Sequence, residues 1–155
     1  MKTRGFTLIE LLVSLALIGL FATLALPLAE LAVKRTQEAE LRAALRQIRE
    51  ALDAYKQAAD EGRITIRPGD SGYPKTLGQL VAGVTDNKSP EKSMLYFLRR
   101  LPRDPLADSR LKPEESWGLR SYKSPYDRPR AGDDVYDVYS LSTERGMNGV
   151  PYAEW

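Results

Sequence analysis

The sequence predicts an α+β protein in which one long N-terminal helix packs on a small antiparallel sheet, followed by a loop-rich C-terminal region. Two observations predict the helix. Residues 11–29 carry no charge, and apolar residues recur at spacings of three and four after Lys34. A third observation predicts the sheet, because residues 117–122 and 134–142 are rich in β-branched and aromatic residues.

The uncharged N-terminal run is long enough to cross a membrane as a helix. It separates Glu10 from Glu30, and a helix needs roughly 20 apolar residues to span about 30 Å of hydrocarbon. The basic segment "MKTRG" precedes it. Because basic residues stay on the cytoplasmic side, we expect a single-pass protein with a cytoplasmic N-terminus.

Glu10 is the unusual residue of this helix, because its neighbours are apolar residues or small alcohols. A carboxylate at the centre of a membrane helix costs roughly 2.5–3.5 kcal/mol, so it calls for a partner. A secretory signal peptide, cleaved after a small residue such as Ala25, predicts a shorter apolar run and no such acid. A plain membrane anchor also leaves Glu10 unexplained.

The contiguous segment "RGFTLIE" at residues 4–10 resembles the processing site of type IV pilins and type II secretion pseudopilins. This resemblance implies that a prepilin peptidase cuts between Gly5 and Phe6 and methylates Phe6. It divides the chain into a leader (1–5), a hydrophobic transmembrane and assembly helix (6–33) and a pilin-like head (34–155).

Cleavage after Gly5 would give Glu10 a partner. The new α-amino group of Phe6 would be mostly positive at neutral pH, because such groups have pKa values near 8. Opposite charges attract strongly in a low-dielectric setting. The pair can form within one chain or between two, and the resemblance implies the second arrangement, with Glu10 as the assembly residue of a helical filament.

The helix continues as an amphipathic segment from Lys34 to Glu61. Its apolar stripe consists of Leu41, Leu45, Ile48, Leu52 and Tyr55. Glu38 and Arg42 form a predicted solvent-side pair one turn apart, and Gly62 is a predicted stop. Pro27 lacks an N–H, so it predicts a helix break or kink, either as a hinge or as a tolerated defect.

The head beyond Gly62 predicts short elements joined by loops. We expect a brief strand at residues 64–66, a helix capped by Thr76, and a second helix over residues 91–100. Strands follow at 117–122 and 134–142. The direction in which the last strand faces is ambiguous, because Asp137 shares a side with Val135 and Tyr139.

Three head segments, "GYPKTLGQL", "LPRDP" and "YDVYSLS", resemble the major pseudopilin of type II secretion. The resemblance implies a structural subunit of a periplasmic pseudopilus that drives protein export. It implies an inner-membrane location with a periplasmic head, and as partners further copies of the chain, other pseudopilins and inner-membrane secretion components. The alternatives are a type IV pilin, major or minor, and a bitopic protein whose head binds a partner without polymerising.

Major pseudopilins typically carry an acidic calcium-binding loop after the last strand, but the corresponding "STERGMNGVPYAEW" has few acids. The available oxygen donors are the carbonyl of Leu141, the carboxylate of Glu144 and the amide of Asn148. Calcium takes six to eight oxygens. A loop held by the packing of Tyr152 and Trp155 is therefore favoured, and calcium remains the one possible cofactor, with Leu141, Glu144 and Asn148 as weak candidate ligands.

Composition excludes several classes of function. The chain has no Cys and no His, which excludes disulfides, thiolate metal sites and Ser-His catalysis. A net charge of +2 gives no sign of nucleic-acid binding. Asp133, Asp134 and Asp137 could suggest acid–base chemistry, but no phosphate loop or nucleophile motif accompanies them, so solvated acids are favoured and we expect no enzyme.

Overall fold

The structure, a computed structural model, describes residues 6–155, except for the side chains of residues 24–26. The predicted leader, including Gly5, lies outside the described residues. The chain forms two compact units, one ending at Gln37 and one running from Glu38 to Trp155. The longest element, helix α1 (Leu8–Asp60), contributes to both units.

The N-terminal part of α1 exposes its apolar side chains and satisfies its small polar ones locally. The hydroxyl of Ser14 donates to the carbonyl of Glu10 (2.7 Å), and that of Thr23 donates to the carbonyl of Leu20 (2.7 Å). Such back-bonding is typical of alcohols in membrane helices. The helix continues through Pro27, so the predicted helix break at this residue is wrong, and a kink there stays a prediction.

The C-terminal part of α1 supplies the core of the head, as the apolar stripe predicts. Leu41, Leu45, Ile48, Leu52 and Tyr55 are all buried. Alanines at 44, 51, 58 and 59 widen the buried face. Since burying one large aliphatic side chain stabilises a fold by about 1.5–3 kcal/mol, this face is the main apolar contribution of α1.

The helix ends at a glycine cap, which confirms the predicted stop. Gly62 has φ +73°, its N–H donates to the carbonyl of Ala59, and the N–H of Arg63 donates to the carbonyl of Ala58. These two bonds define a Schellman motif, which satisfies the last carbonyls of a helix.

Four short strands form two antiparallel pairs. β1 (Val84–Thr85) pairs with β2 (Met94–Leu95), and β3 (Trp117–Arg120) pairs with β4 (Asp137–Ser140). The second pair confirms the two predicted strands with shorter bounds. Val138 and Ser140 face the core, which resolves the ambiguous direction of the last strand. Val135 is also buried. It lies before the first residue of β4, so the alternation of core-facing and outward-facing side chains in that strand does not apply to it.

The prediction of a helix over residues 91–100 is wrong. This segment contains β2, and Lys92 just before it has φ +50°, which a helix does not permit. The pairing continues beyond the strands, because the N–H of Asp86 donates to the carbonyl of Ser93 (2.9 Å). Long-range backbone pairing therefore overrides the local preference for helix.

Two smaller predictions also need correction. No strand forms at residues 64–66, although Ile64 is buried in the core. The predicted helix after Thr76 exists as α2 (Gly78–Ala82), but its N-cap is Leu77 and no side chain caps it. The carbonyl of Thr76, not its hydroxyl, accepts the N–H of Gln79. Two short 3₁₀ helices, Pro113–Ser116 and Tyr152–Glu154, complete the head.

Deletion of residues 1–33 is expected to leave a folded, monomeric head, because it removes exposed apolar surface and leaves the buried face of α1 intact. Sedimentation velocity should give one monomeric species, and a thermal melt should be cooperative. Leu52→Ala in this fragment should lower its stability by about 2–5 kcal/mol through cavity formation. Concentration-dependent association, or a melt unaffected by Leu52→Ala, would contradict this account of the core.

Candidate functional site

The N-terminal end of α1 contains the predicted processing and assembly residues. Phe6 is exposed, and Thr7 stands immediately before the helix. The backbone N–H and the hydroxyl of Thr7 each lie 3.5 Å from Oε2 of Glu10, and the N–H of Glu10 donates to Thr7 Oγ1 (3.3 Å). This reciprocal arrangement is a capping box, in which Thr is the N-cap and Glu is the third helical residue.

The capping box gives Glu10 a local partner that the sequence analysis missed. The signal was present as the T-x-x-E pattern of residues 7–10. A carboxylate in the first turn is also favourable because the N-terminus of a helix carries partial positive charge. Glu10 thus has a structural role within one chain, and its role between chains stays a prediction.

Helix α1 is, among the described residues, the one helix long and apolar enough to cross a membrane. The apolar stretch of 18 residues that meets this requirement is not buried within the protein. Length and composition therefore agree with the predicted membrane span. By these criteria alone, a signal sequence near the N-terminus would also qualify.

In the head, Glu38 of α1 is the first unexpected residue. It is only 5% exposed and accepts hydrogen bonds from the backbone N–H of Met147 (2.6 Å) and the hydroxyl of Tyr152 (3.1 Å). Arg42 lies 3.6 Å away. The predicted pair of Glu38 and Arg42 therefore exists. Arg42 is exposed as predicted, but the prediction is wrong for Glu38, because the C-terminal segment covers its carboxylate.

Tyr152 is completely buried, and its hydroxyl lies against the carboxylate of Glu38. Burial raises the pKa of its phenol, and the hydrogen bond and negative charge of Glu38 raise it further, to about 12. The neutral phenol is thus strongly favoured in the folded head. Its ring also packs edge-on against that of Trp155, with centroids 4.9 Å apart, which confirms the predicted aromatic packing of the loop.

Arg49 is a second polar residue of α1 that binds the C-terminal half of the chain. Its guanidinium donates to Asp137 Oδ1 (2.8 Å), to the carbonyl of Val138 (3.2 Å) and to the carbonyl of Trp155 (2.7 Å). One side chain thus fixes both strand β4 and the terminal residue. The planar array of donors on arginine suits such a multiple contact.

The other buried acids of the described residues also hold loops. Asp104, 1% exposed, accepts the hydroxyl of Ser140 (2.6 Å) and the N–H of Leu106 (2.8 Å). Asp86 receives two bonds from Arg63 (2.6 and 3.1 Å), and this guanidinium contact is the main cause of the lowered pKa of Asp86.

The carboxylates near strand β4 do not form an acid–base pair. Asp134 accepts the hydroxyl of Ser71 (2.5 Å) and the N–H of Tyr122 (2.8 Å), while Asp137 binds Arg49 and lies 3.9 Å from Arg120. The interpretation of these acids as merely solvated is therefore wrong for Asp134 and Asp137. Both act as structural acceptors.

The residues proposed as calcium donors lie in the loop after β4. The carbonyl of Glu144 accepts the N–H of Tyr152 (3.2 Å), and the amide oxygen of Asn148 accepts the N–H of Val150 (3.1 Å). The side chain of Leu141 is exposed. Within residues 6–155, no three carboxylates come close enough together to share a metal ion.

Comparison with known proteins agrees with the N-terminal geometry and extends to the head. Residues 1–26 match the prokaryotic N-terminal methylation motif. Over 106 residues the chain is 29% identical to type II secretion system core protein G of Klebsiella michiganensis, covering 66% of this chain and 67% of that protein. The chain is thus similar to a type II secretion protein over about two thirds of its length and carries the N-terminal methylation motif. No solved structure matches it. The motif and the apolar α1 fit a protein anchored in the inner membrane.

The polar contacts between α1 and the C-terminal segment were not predicted from the sequence. Glu38, Arg42 and Arg49 are spaced by four and seven residues, so they share one face of the helix beside the buried stripe. That spacing was a detectable signal. Their partners lie far away in the sequence, as Met147 does at 109 residues from Glu38. No local pattern predicts which distant residues such side chains bind.

The raised pKa of Tyr152 predicts a pH dependence of the head's stability. An unfolded tyrosine titrates near pH 10, and the folded value is about 12. The contribution of the neutral phenol is therefore complete below about pH 10 and is lost as the pH rises toward 12. Urea unfolding of the head fragment at several values between pH 9 and pH 11.5 should show this loss, and Tyr152→Phe should reduce its slope.

Tyr126→Phe is the matched control, because Tyr126 is 83% exposed. This variant should keep the slope of the parent fragment. Equal slopes for Tyr152→Phe and the parent would show that Tyr152 does not titrate abnormally.

Proposed function

We propose that this chain is a pseudopilin, a structural subunit of a periplasmic pseudopilus that drives protein export by type II secretion. The observation that carries the proposal is the N-terminal methylation motif at residues 1–26, which extends into the exposed apolar part of α1. The similarity to a type II secretion protein supports this function over the type IV pilus alternative. A buried filament core explains why a protein with a polar head keeps a continuous apolar helix.

The proposed maturation step is cleavage between Gly5 and Phe6 by a prepilin peptidase, with methylation of Phe6. Cleavage would place an ammonium group four residues before Glu10, at the end of α1 where the capping box now stands. Glu10 is exposed in the single chain. It is therefore accessible as the acceptor for a second subunit's N-terminus.

Charge pairing would then set the axial register of each added subunit. In a low-dielectric filament core, an ammonium without a partner costs about 3–5 kcal/mol relative to a paired one. Contacts between the exposed apolar side chains in the N-terminal part of α1 would attract subunits but would not fix their relative position. The pair of Phe6 and Glu10 would fix that position. Assembly thus depends on a residue that contributes little apolar surface.

The proposed orientation places the N-terminus in the cytoplasm and the head in the periplasm, because Lys2 and Arg4 precede the span. The partners are further copies of the chain, other pseudopilins, the prepilin peptidase and inner-membrane secretion components. We assign no catalytic activity. Asp134 and Asp137, the acids that suggested one, are engaged in structural contacts.

Processing is testable by mass spectrometry of the membrane-bound protein. The mature N-terminus should be Phe6, heavier by one methyl group, because the motif predicts cleavage and methylation together. Gly5→Val is expected to leave the precursor uncut. A parent protein that begins at Met1 or at Leu26 would contradict the proposal.

Glu10→Ala should accumulate in the membrane and still be processed, but it should not assemble. Removing the carboxylate takes a charge out of the apolar helix and should not hinder insertion, whereas each added subunit would bury an unpaired ammonium. Filament yield on overexpression, measured together with methylated monomer, tests this. Glu10→Asp keeps the charge with a shorter reach and should be intermediate.

Glu10→Gln separates the assembly role from the capping box. Glutamine can serve as the third residue of a capping box, but it carries no charge, so it should fail to assemble as Glu10→Ala does. Glu30→Gln removes one carboxylate from the far end of the apolar run and is the matched control. Normal filaments from Glu10→Gln would mean that capping, not charge pairing, explains Glu10.

A further inference from the structure

The C-terminal loop at residues 141–155 is where the family resemblance implies calcium, and its donor set does not fit that ion. Calcium needs six to eight oxygen ligands. Of the three candidate donors, the side-chain oxygen of Asn148 accepts the N–H of Val150, and the carbonyl of Glu144 accepts the N–H of Tyr152. The carboxylate of Glu144 and the carbonyl of Leu141 do not make a calcium site by themselves.

The same loop contains groups that oppose a cation. The guanidinium of Arg145 donates to the carbonyl of Gly149 (2.9 Å), so one loop carbonyl already serves a positive charge. The indole N–H of Trp155 is buried and has no hydrogen-bond partner among the described residues. It is a donor and cannot bind a metal ion.

The indole of Trp155 also fills space within the loop. A Cβ added to Gly146 would lie 2.3 Å from Trp155 Cζ2, so the aromatic ring lies directly on the loop backbone there. The loop backbone is further closed by bonds from Gly146 N–H to the carbonyl of Val150 and from Gly149 N–H to the carbonyl of Gly146, both 2.9 Å.

We propose that three charged residues of α1 hold this loop in the position that calcium would otherwise stabilise. We call Glu38, Arg42 and Arg49 the α1 clamp. Glu38 binds the N–H of Met147 and the hydroxyl of Tyr152, Arg49 binds the carbonyl of Trp155, and the guanidinium of Arg42 lies over the Trp155 ring at 4.3 Å from its centroid. The clamp thus contacts the middle and the end of the loop.

The clamp places the carboxylate that accepts the loop's hydrogen bonds on the helix rather than on the loop. In a calcium loop, loop carboxylates converge on a metal ion. Here the nearly buried carboxylate of Glu38 accepts two hydrogen bonds from the loop. Arg49 donates to a carbonyl of the loop, and Arg42 lies over an aromatic ring of the loop. The order of the C-terminal loop is therefore independent of free calcium. This inference concerns the folding of the head, so it does not depend on polymerisation.

The test uses the full chain in detergent micelles, with near-UV circular dichroism as the readout because Tyr152 and Trp155 report on the loop. The parent chain should melt at the same temperature, within about 2 °C, in EDTA and in millimolar calcium. A site saturated at a hundred times its Kd would instead raise the midpoint by roughly 10 °C.

Glu38→Gln should lower the midpoint by about 5–10 °C in both conditions, because it weakens a charged acceptor of two loop donors. Glu40→Gln is the matched control, since Glu40 is exposed on the same helix, and it should melt like the parent. Equilibrium dialysis of the parent chain with radioactive calcium adds a measurement that does not require the variant to fold, and it should show no saturable binding.

Three outcomes would overturn the proposal. The first is a calcium-dependent rise of the parent midpoint by more than about 5 °C. The second is saturable calcium binding by the parent chain. The third is a Glu38→Gln variant as stable as the Glu40→Gln control. Filament yield is measured separately, so loss of assembly with normal melts would count against the proposed function and not against the clamp.

Discussion

The face of α1 from Glu38 to Ala59 is the constraint on which the head depends. The head has only four short strands in two separate pairs, and a two-stranded sheet is at best marginally stable alone. The buried stripe of α1 provides the surface on which these pairs and the loops between them pack. Polar residues beside the stripe then fix the position of each loop through directional hydrogen bonds. Apolar contacts are non-directional and do not fix these positions by themselves.

Buried carboxylates are the second organising feature of the head. Glu38, Asp86, Asp104 and Asp134 are buried acids, and each accepts hydrogen bonds from a segment distant in sequence or from the turn that follows it. A buried acid that lost its donors would be strongly destabilising. The acids therefore give a loop-rich fold the specificity that longer strands would provide in other α+β proteins.

The parts of the fold that local pattern determines could be predicted from the sequence. The period of the apolar stripe predicted the buried face of α1, Gly62 predicted its end, and composition predicted β3 and β4. The segment at 91–100 could not be predicted, because its helix-forming residues are overridden by pairing with residues 84–86. The burial of Glu38 could not be predicted either, since a charged pair one turn apart is typical of an exposed helix surface.

The candidate site divides in the same way. The motif at Gly5 to Glu10 is contiguous, so sequence alone indicated both processing and assembly. Its T-x-x-E pattern also carried the signal for the capping role of Thr7, which was overlooked. The contacts of Arg49 require knowledge of where β4 and Trp155 lie. Functional residues that are contiguous in the sequence could thus be predicted. Contacts between distant residues could not, such as that between Arg49 and Asp137, which are 88 residues apart.

The hydroxyls in the apolar part of α1 have a consequence for transfer between environments. Ser14 and Thr23 each donate to a carbonyl of their own helix, so neither needs a partner from lipid, water or another subunit. A subunit that leaves the bilayer and enters a packed helical core would therefore exchange only dispersion contacts along these turns. Extraction would require no rearrangement of their hydrogen bonds. The bilayer and the helical core would then differ mainly in the surroundings that they give the charged residue Glu10.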